Sequence, residues 1–265
     1  MIPIRRTAFA LLVAVLATAA PAALASTDQP DPLRIAIYDH TDGVAWAPKA
    51  LMQILASDAG FACTRVSPED IQNGMLVSGD FDALILPGGS GSGQAKRLGE
   101  DGAQNIKDFV AGGGGYVGIC AGAYLASSHY TWSLNLINAK VLDTKHWNRG
   151  TGPTILDFTP EGRAALDQRS SQAEVYYGQG PLLAPGDHPD LPAYETLATY
   201  ATEIAKKGAP TGVMIGTTAI ARAPYGQGRV MLYSPHPEKK WGLHYLIVNG
   251  VRWAATEPAD STQQN

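Results

Sequence analysis

The sequence predicts an α/β protein with a mostly parallel sheet and helices on both faces, and three observations carry that prediction. Short apolar runs without alternation, at residues 33–38, 61–66, 81–86 and 116–119, read as strands buried on both faces. Helical stretches at 47–59 and 103–111 separate them, as in βαβ units. The loops after Tyr38, Leu86 and Ile119 all leave the carboxyl ends of strands, where parallel sheets bind ligands.

In chain order, residues 1–25 read as a secretory signal peptide. Arg5 and Arg6 precede an apolar run at 8–20, and Ala23-Leu24-Ala25 stands before Ser26 as a small-residue cleavage site. The run is short for a bilayer span, so no membrane anchor is expected and the location is periplasmic or secreted. The first strand runs into polar Asp39-His40-Thr41-Asp42-Gly43, and the helix at 47–59 stops at Gly60. After the second strand, Ser67 and Pro68 suit the N-cap and first position of a short helix. The third strand enters a glycine-rich loop, Pro87 to Gly93, and the helix at 103–111 ends at Gly112-Gly113-Gly114. The fourth strand leads into a helix at 121–127.

From about 130 to 200 the pattern is irregular, with β-like pieces at 154–158 and 174–177, and is expected to be a strand-rich insertion. The chain then returns to the sheet through 213–216, 219–223, a Gly226-Gln227-Gly228 turn and 229–233, and closes with a helix at 241–254. Residues 26–256 are expected to form one domain, and the polar tail 257–265 to be disordered.

Without Arg5 and Arg6, the 20 basic residues fall to 18 against 24 acidic ones, a net charge of −6. A mildly acidic chain lacking a basic cluster argues against nucleic acid and points to a small-molecule or peptide substrate. Two cysteines in an exported chain would by default pair. Cys63, inside a strand, instead reads as a small buried apolar residue, and Cys120 has a sharper context.

Gly118-Ile119-Cys120-Ala121-Gly122 is the cysteine counterpart of the nucleophile elbow, a strand, a tight turn and a helix that together project the reactive atom into the crevice. The alternative is a structural thiol in an ordinary strand-to-helix connection. A base follows the last strand, in Ser234-Pro235-His236-Pro237-Glu238, where in an extended segment Glu238 and His236 point the same way. Cys120, His236 and Glu238 thus supply nucleophile, base and orienting group. Ala121 N–H, with Gly88 or Gly89 N–H, would bind the oxyanion. The loop lacks the lysine of a P-loop and the G-x-G-x-x-G spacing, which argues against nucleotide. Tyr177 and His40, with Tyr124, are candidates for contacts to substrate. The motifs call for no metal and no cofactor.

Pro87-Gly88-Gly89, the elbow and the 228–238 segment together resemble the class I glutamine amidotransferase-like fold, over nearly all of residues 33–254. The resemblance implies a flavodoxin-like sheet and the same roles for Cys120, His236, Glu238, Gly88, Gly89 and Ala121. The extended string 118–126, with Tyr176-Tyr177-Gly178-Gln179-Gly180-Pro181, looks most like the domain at the N-terminus of eukaryotic biotin-protein ligases. That resemblance carries no expectation of biotin transfer. Glutaminases usually have Gln two residues after the elbow's second glycine, where this chain has Tyr124, which argues against a true glutaminase. The expected function is an exported cysteine-nucleophile hydrolase or acyl transferase on an amide, peptide or ester. The alternative is a catalytically inactive domain of the same fold that binds a small ligand.

Overall fold

Five strands form the parallel half of the sheet, in the order β2 (Phe61–Val66), β1 (Leu33–Tyr38), β3 (Ala83–Leu86), β4 (Gly115–Ile119), β11 (Gly228–Tyr233). This is a computed structural model of the protein, and it describes residues 31–239 and 243–256. The expected signal peptide and tail lie outside the described residues.

Each parallel strand sends alternate side chains to opposite faces, and both faces are covered. Ile35, Ile37, Ile85 and Val117 pack with Leu51 and Leu55 of α1 (Trp46–Ala56) and with Leu246 and Ile247 of α7 (His244–Ala255). Ala36, Tyr38, Leu84, Leu86 and Tyr116 pack on the other side with Leu98, Ile106 and Val110 of α4 (Gly91–Ala111) and Leu125 of α5 (Ala121–Ala126). This two-sided burial is why the strands are continuously apolar in sequence. Ser67 closes a capping box with Asp70 at the start of α2 (Pro68–Gln72), and α3 (Met75–Ser78) leads on to β3.

The other half of the sheet is antiparallel. From β11 it continues through β10 (Thr218–Tyr225), β9 (Glu195–Tyr200), β6 (Gly152–Phe158) and β7 (Gln172–Tyr177), with α6 (Pro160–Leu166) crossing between β6 and β7. A side ladder of β5 (Ala139–Leu142) and β8 (Leu182–Pro185) touches β10 at one pair, Thr218 and Leu183. The strand-rich insertion therefore extends the main sheet, and the sheet is mixed.

At about 4.8 Å per strand, a flat sheet would hold β7 roughly 19 Å from β11. Yet the amide of His236, just past β11, donates to the Tyr176 carbonyl of β7 at 2.9 Å. The antiparallel half thus curls back over the carboxyl ends of the parallel strands. The pairing of β9 with β10 shifts register at Thr218–Ile220 and at Ile220–Ala221, and breaks in a ladder of this kind accompany a bend in the strand.

Several boundaries differ from the sequence reading. The glycine-rich loop is shorter than expected because α4 starts at Gly91. Ser90 caps it, accepting from the Gly93 amide at 3.1 Å, and Gln94 donates to the Pro87 carbonyl at 2.9 Å. The helix breaks at Gly99 (φ 62°, ψ −169°), where no β-carbon resists the left-handed turn. Residues 213–216 are a turn and not a strand, with Met214 buried and Ile215 half exposed. Cys63 is only partly buried on β2, and both cysteines are free.

Candidate active site

Cys120 stands between β4 and α5 with φ 50° and ψ −97°, a conformation that side chains rarely adopt and that persists only where the surroundings enforce it. Here they do. The Cys120 amide donates to the Tyr233 carbonyl of neighbouring β11 at 2.8 Å. A β-carbon on Gly118 would fall 2.7 Å from the Gly122 carbonyl, and one on Gly122 would fall 2.2 Å from the Leu86 carbonyl oxygen. Both glycines are required by space, because the elbow folds against β3. Cys120 is 6% exposed, and its thiol donates to the Gly178 carbonyl at 3.6 Å.

His236 and Glu238 follow β11 in a turn, not the extended segment expected, since the Lys239 amide bonds the His236 carbonyl at 3.2 Å. The turn still brings them together, with His236 Nδ1 2.6 Å from Glu238 Oε1. Cys120 lies beside the same ring and, with Glu238, acts on its protonation. Both side chains are buried. Burial, the largest influence, pulls the imidazole pKa down. The nearness and charge of Cys120, and the bond to Glu238 with its charge, outweigh it and push the pKa up to about 10.

Two glycines edge this ring. A β-carbon on Gly88 would lie 2.7 Å from His236 Cε1, and one on Gly178 would lie 2.6 Å from both Cδ2 and Nε2. The backbone after β3 and the backbone after β7 therefore grip the imidazole from different sides. Gly180 adds a third close approach, with a notional β-carbon 1.8 Å from the Ser234 carbonyl oxygen. Tyr200 donates to Ser234 Oγ at 2.7 Å and braces the same loop.

Beside Cys120 opens a cavity of about 420 Å³. Gly89, Ser90 and Ser92 line one part, and Tyr124, Tyr130 and Trp132 another. Thr144, Trp147, Gly178 and Gln179 complete it. Gly88, Gly89 and Ala121 thus all lie next to Cys120, and the Ala121 amide, first in α5, has no acceptor within the helix. Tyr124 lines the cavity and donates to the Gln179 carbonyl at 3.3 Å.

Two of the expected substrate contacts are corrected. Tyr177 is a core residue, 1% exposed, its hydroxyl donating to the Gly180 carbonyl at 2.9 Å and its ring set edge-on to Tyr200. A strand alternates faces, and Tyr177 falls on the inner one. His40 is exposed beside Tyr38 and does not line the cavity.

Sequence reasoning missed the walls of the cavity. Trp147 carries the one usable signal, an indole among polar neighbours in Lys145-His146-Trp147-Asn148-Arg149, and it is 56% exposed. Its loop is pinned from below: Arg149, 1% exposed, pairs with Asp143, which also bonds His146 at 2.5 Å. Asn148 accepts from Gln179 and from Lys207.

The family model for the biotin-protein ligase N-terminal region matches residues 41–148. That stretch includes Gly88, Gly89, Cys120 and Tyr124 and ends before His236 and Glu238. A biotin–protein ligase of Schizosaccharomyces pombe is 28% identical over 173 residues, 58% of this chain and 25% of the ligase. The chain thus spans about a quarter of the length of that curated relative. Among solved structures, a glutamine amidotransferase superposes with TM-score 0.56 at 15% identity, covering 83% of this chain and 98% of the other. A ThuA-like protein from Bacteroides uniformis does so with TM-score 0.57 at 13% identity, covering 89% and 95%. The protein therefore has the class I glutamine amidotransferase-like fold, and the family it resembles within that fold is that of the biotin-protein ligase N-terminal domain.

Proposed function

We propose that this protein is an exported cysteine-nucleophile hydrolase or acyl transferase acting on an amide, peptide or ester, and not a true glutaminase. The observation that carries the reading is the buried His236 ring, bonded to Glu238 and set beside Cys120 at the edge of an open cavity. An imidazolium beside sulfur is the partner a nucleophilic thiolate requires. Sγ attacks the carbonyl carbon, and the amides of Ala121 and of Gly88 or Gly89 receive the oxyanion. His236 then gives its proton to the departing amine or alkoxide as the thioester forms. Water or a second nucleophile, deprotonated by His236, breaks the thioester and restores the thiol. Glu238 holds the ring's tautomer throughout.

The export component rests on residues 1–25 alone; among the described residues no helix is long and apolar enough to cross a membrane. One contact favours the second reading, an inactive ligand-binding domain: the thiol donates to the Gly178 carbonyl, which competes with His236 for its proton. Alkylation separates the two. At about pH 6.5, well below the ordinary thiol pKa of about 8.5, iodoacetamide should modify Cys120 far faster than Cys63. Burial pushes the Cys63 thiol up to about 11, so it serves as an internal control. Equal rates at the two cysteines would favour the binding domain.

A further inference from the structure

The cavity beside Cys120 has two properties that the triad does not explain. Apart from Cys120 itself, the described residues that line it are all neutral. Its walls are instead aromatic: Tyr130 and Trp132 stack on one another at 4.5 Å and 8°, Tyr124 adjoins Tyr130 at 6.2 Å, and Trp147 reaches in from a separate loop.

Trp147 is the telling member. It exposes an indole to water, at a cost proportional to its apolar area, while its neighbours His146 and Asn148 are both held by hydrogen bonds. The buried Arg149–Asp143 pair anchors the same loop from the interior. A mobile loop could fold such a side chain away. This one is held out, and a preorganised aromatic surface next to a nucleophile is what a ligand ring would cover.

Resting on the nucleophile reading above, we propose that the part of the substrate held in this cavity is uncharged and carries a planar aromatic ring, seated against Trp147 and the Tyr130–Trp132 stack. Ser90, Ser92, Thr144 and Gln179 offer it neutral hydrogen bonds. The zwitterionic head of free glutamine finds no counter-charge there, and burying an unpaired charge is costly.

The test uses the full protein and reagents that differ only in the ring. N-Phenyl iodoacetamide and iodoacetamide are reacted with Cys120, and each rate is divided by the rate with glutathione to remove intrinsic reactivity. The ring-bearing reagent should be about tenfold faster, as stacking of this kind supports, and Trp147→Ala should cut the advantage to about threefold or less. The glutamine analogue 6-diazo-5-oxo-L-norleucine should leave Cys120 unmodified. Equal normalised rates, or efficient labelling by the glutamine analogue, would overturn the inference. Plain iodoacetamide on Cys120 against Cys63 reports the nucleophile separately. Should that fail, calorimetric titration of Cys120→Ser with N-phenylacetamide still decides the ring: binding weakened by Trp147→Ala supports it, and no binding overturns it.

Discussion

β4 and β11 lie side by side in the parallel half, and the residues that follow them, Cys120 and His236, take their places from turns a few residues long. β7, four strands beyond β11, delivers mostly backbone: the Tyr176 and Gly178 carbonyls and the chain that edges the imidazole. The parallel half therefore carries the candidate catalytic side chains and most of the cavity lining, and the antiparallel half, curled back over it, closes on the imidazole with the backbone after β7. Substitutions in the two halves should therefore separate what the candidate nucleophile and base do from how the backbone after β7 places them.

The largest effect belongs to the parallel half. His236→Ala should slow iodoacetamide labelling of Cys120 at neutral pH by about 100-fold. Because Glu238 would lose its partner in a buried site, His236→Gln is the companion that keeps a hydrogen-bonding group there; both should slow labelling while circular dichroism stays native. Labelling unchanged in both variants would detach His236 from the thiol.

Gly178→Ala probes the other half. Its β-carbon would press on His236 Nε2 and Cδ2, so labelling should fall about tenfold as the ring is displaced, with a destabilisation of about 1–3 kcal/mol in urea. If Gly178→Ala labels like wild type, the antiparallel half does not position the base.

Glu238→Gln gives a smaller change with a defined sign. The folded imidazole keeps its proton to about pH 10, whereas an unfolded one loses it near 6.5. The stabilisation is complete below about pH 6.5 and is lost as pH rises toward about 10. Glu238→Gln removes a charge that raises the folded value, so urea midpoints measured from pH 6 to 10 should vary less than in wild type. A variant as pH-dependent as wild type would assign the effect to another group.

Tyr177→Phe should do least. Losing the bond to the Gly180 carbonyl costs about 1 kcal/mol in urea, and labelling should not change, because the ring belongs to the core. A change in the ring preference of Cys120 with stability unaltered would return Tyr177 to the cavity.

The parallel half was legible because its signals are local. A strand buried on both faces must be apolar throughout, and an elbow packed against β3 must carry Gly118 and Gly122 whatever surrounds it. Cys120, His236 and Glu238 could be singled out for the same reason. The start of α4 was not legible, since Gly91 and Gly93 read as loop and become helix only through the Ser90 cap and the Gln94 bond to Pro87.

By itself, then, the sequence determined the order of the parallel elements, the elbow and the segment that carries the base, all set by contacts within a few residues. The tertiary structure alone decided that β7 returns to His236, that Tyr177 faces inward and that Trp147 stands at the cavity. Those placements depend on the coiling of the antiparallel half and on pairs distant in sequence, such as the His236 amide with the Tyr176 carbonyl, which leave no periodic trace in the residues that make them.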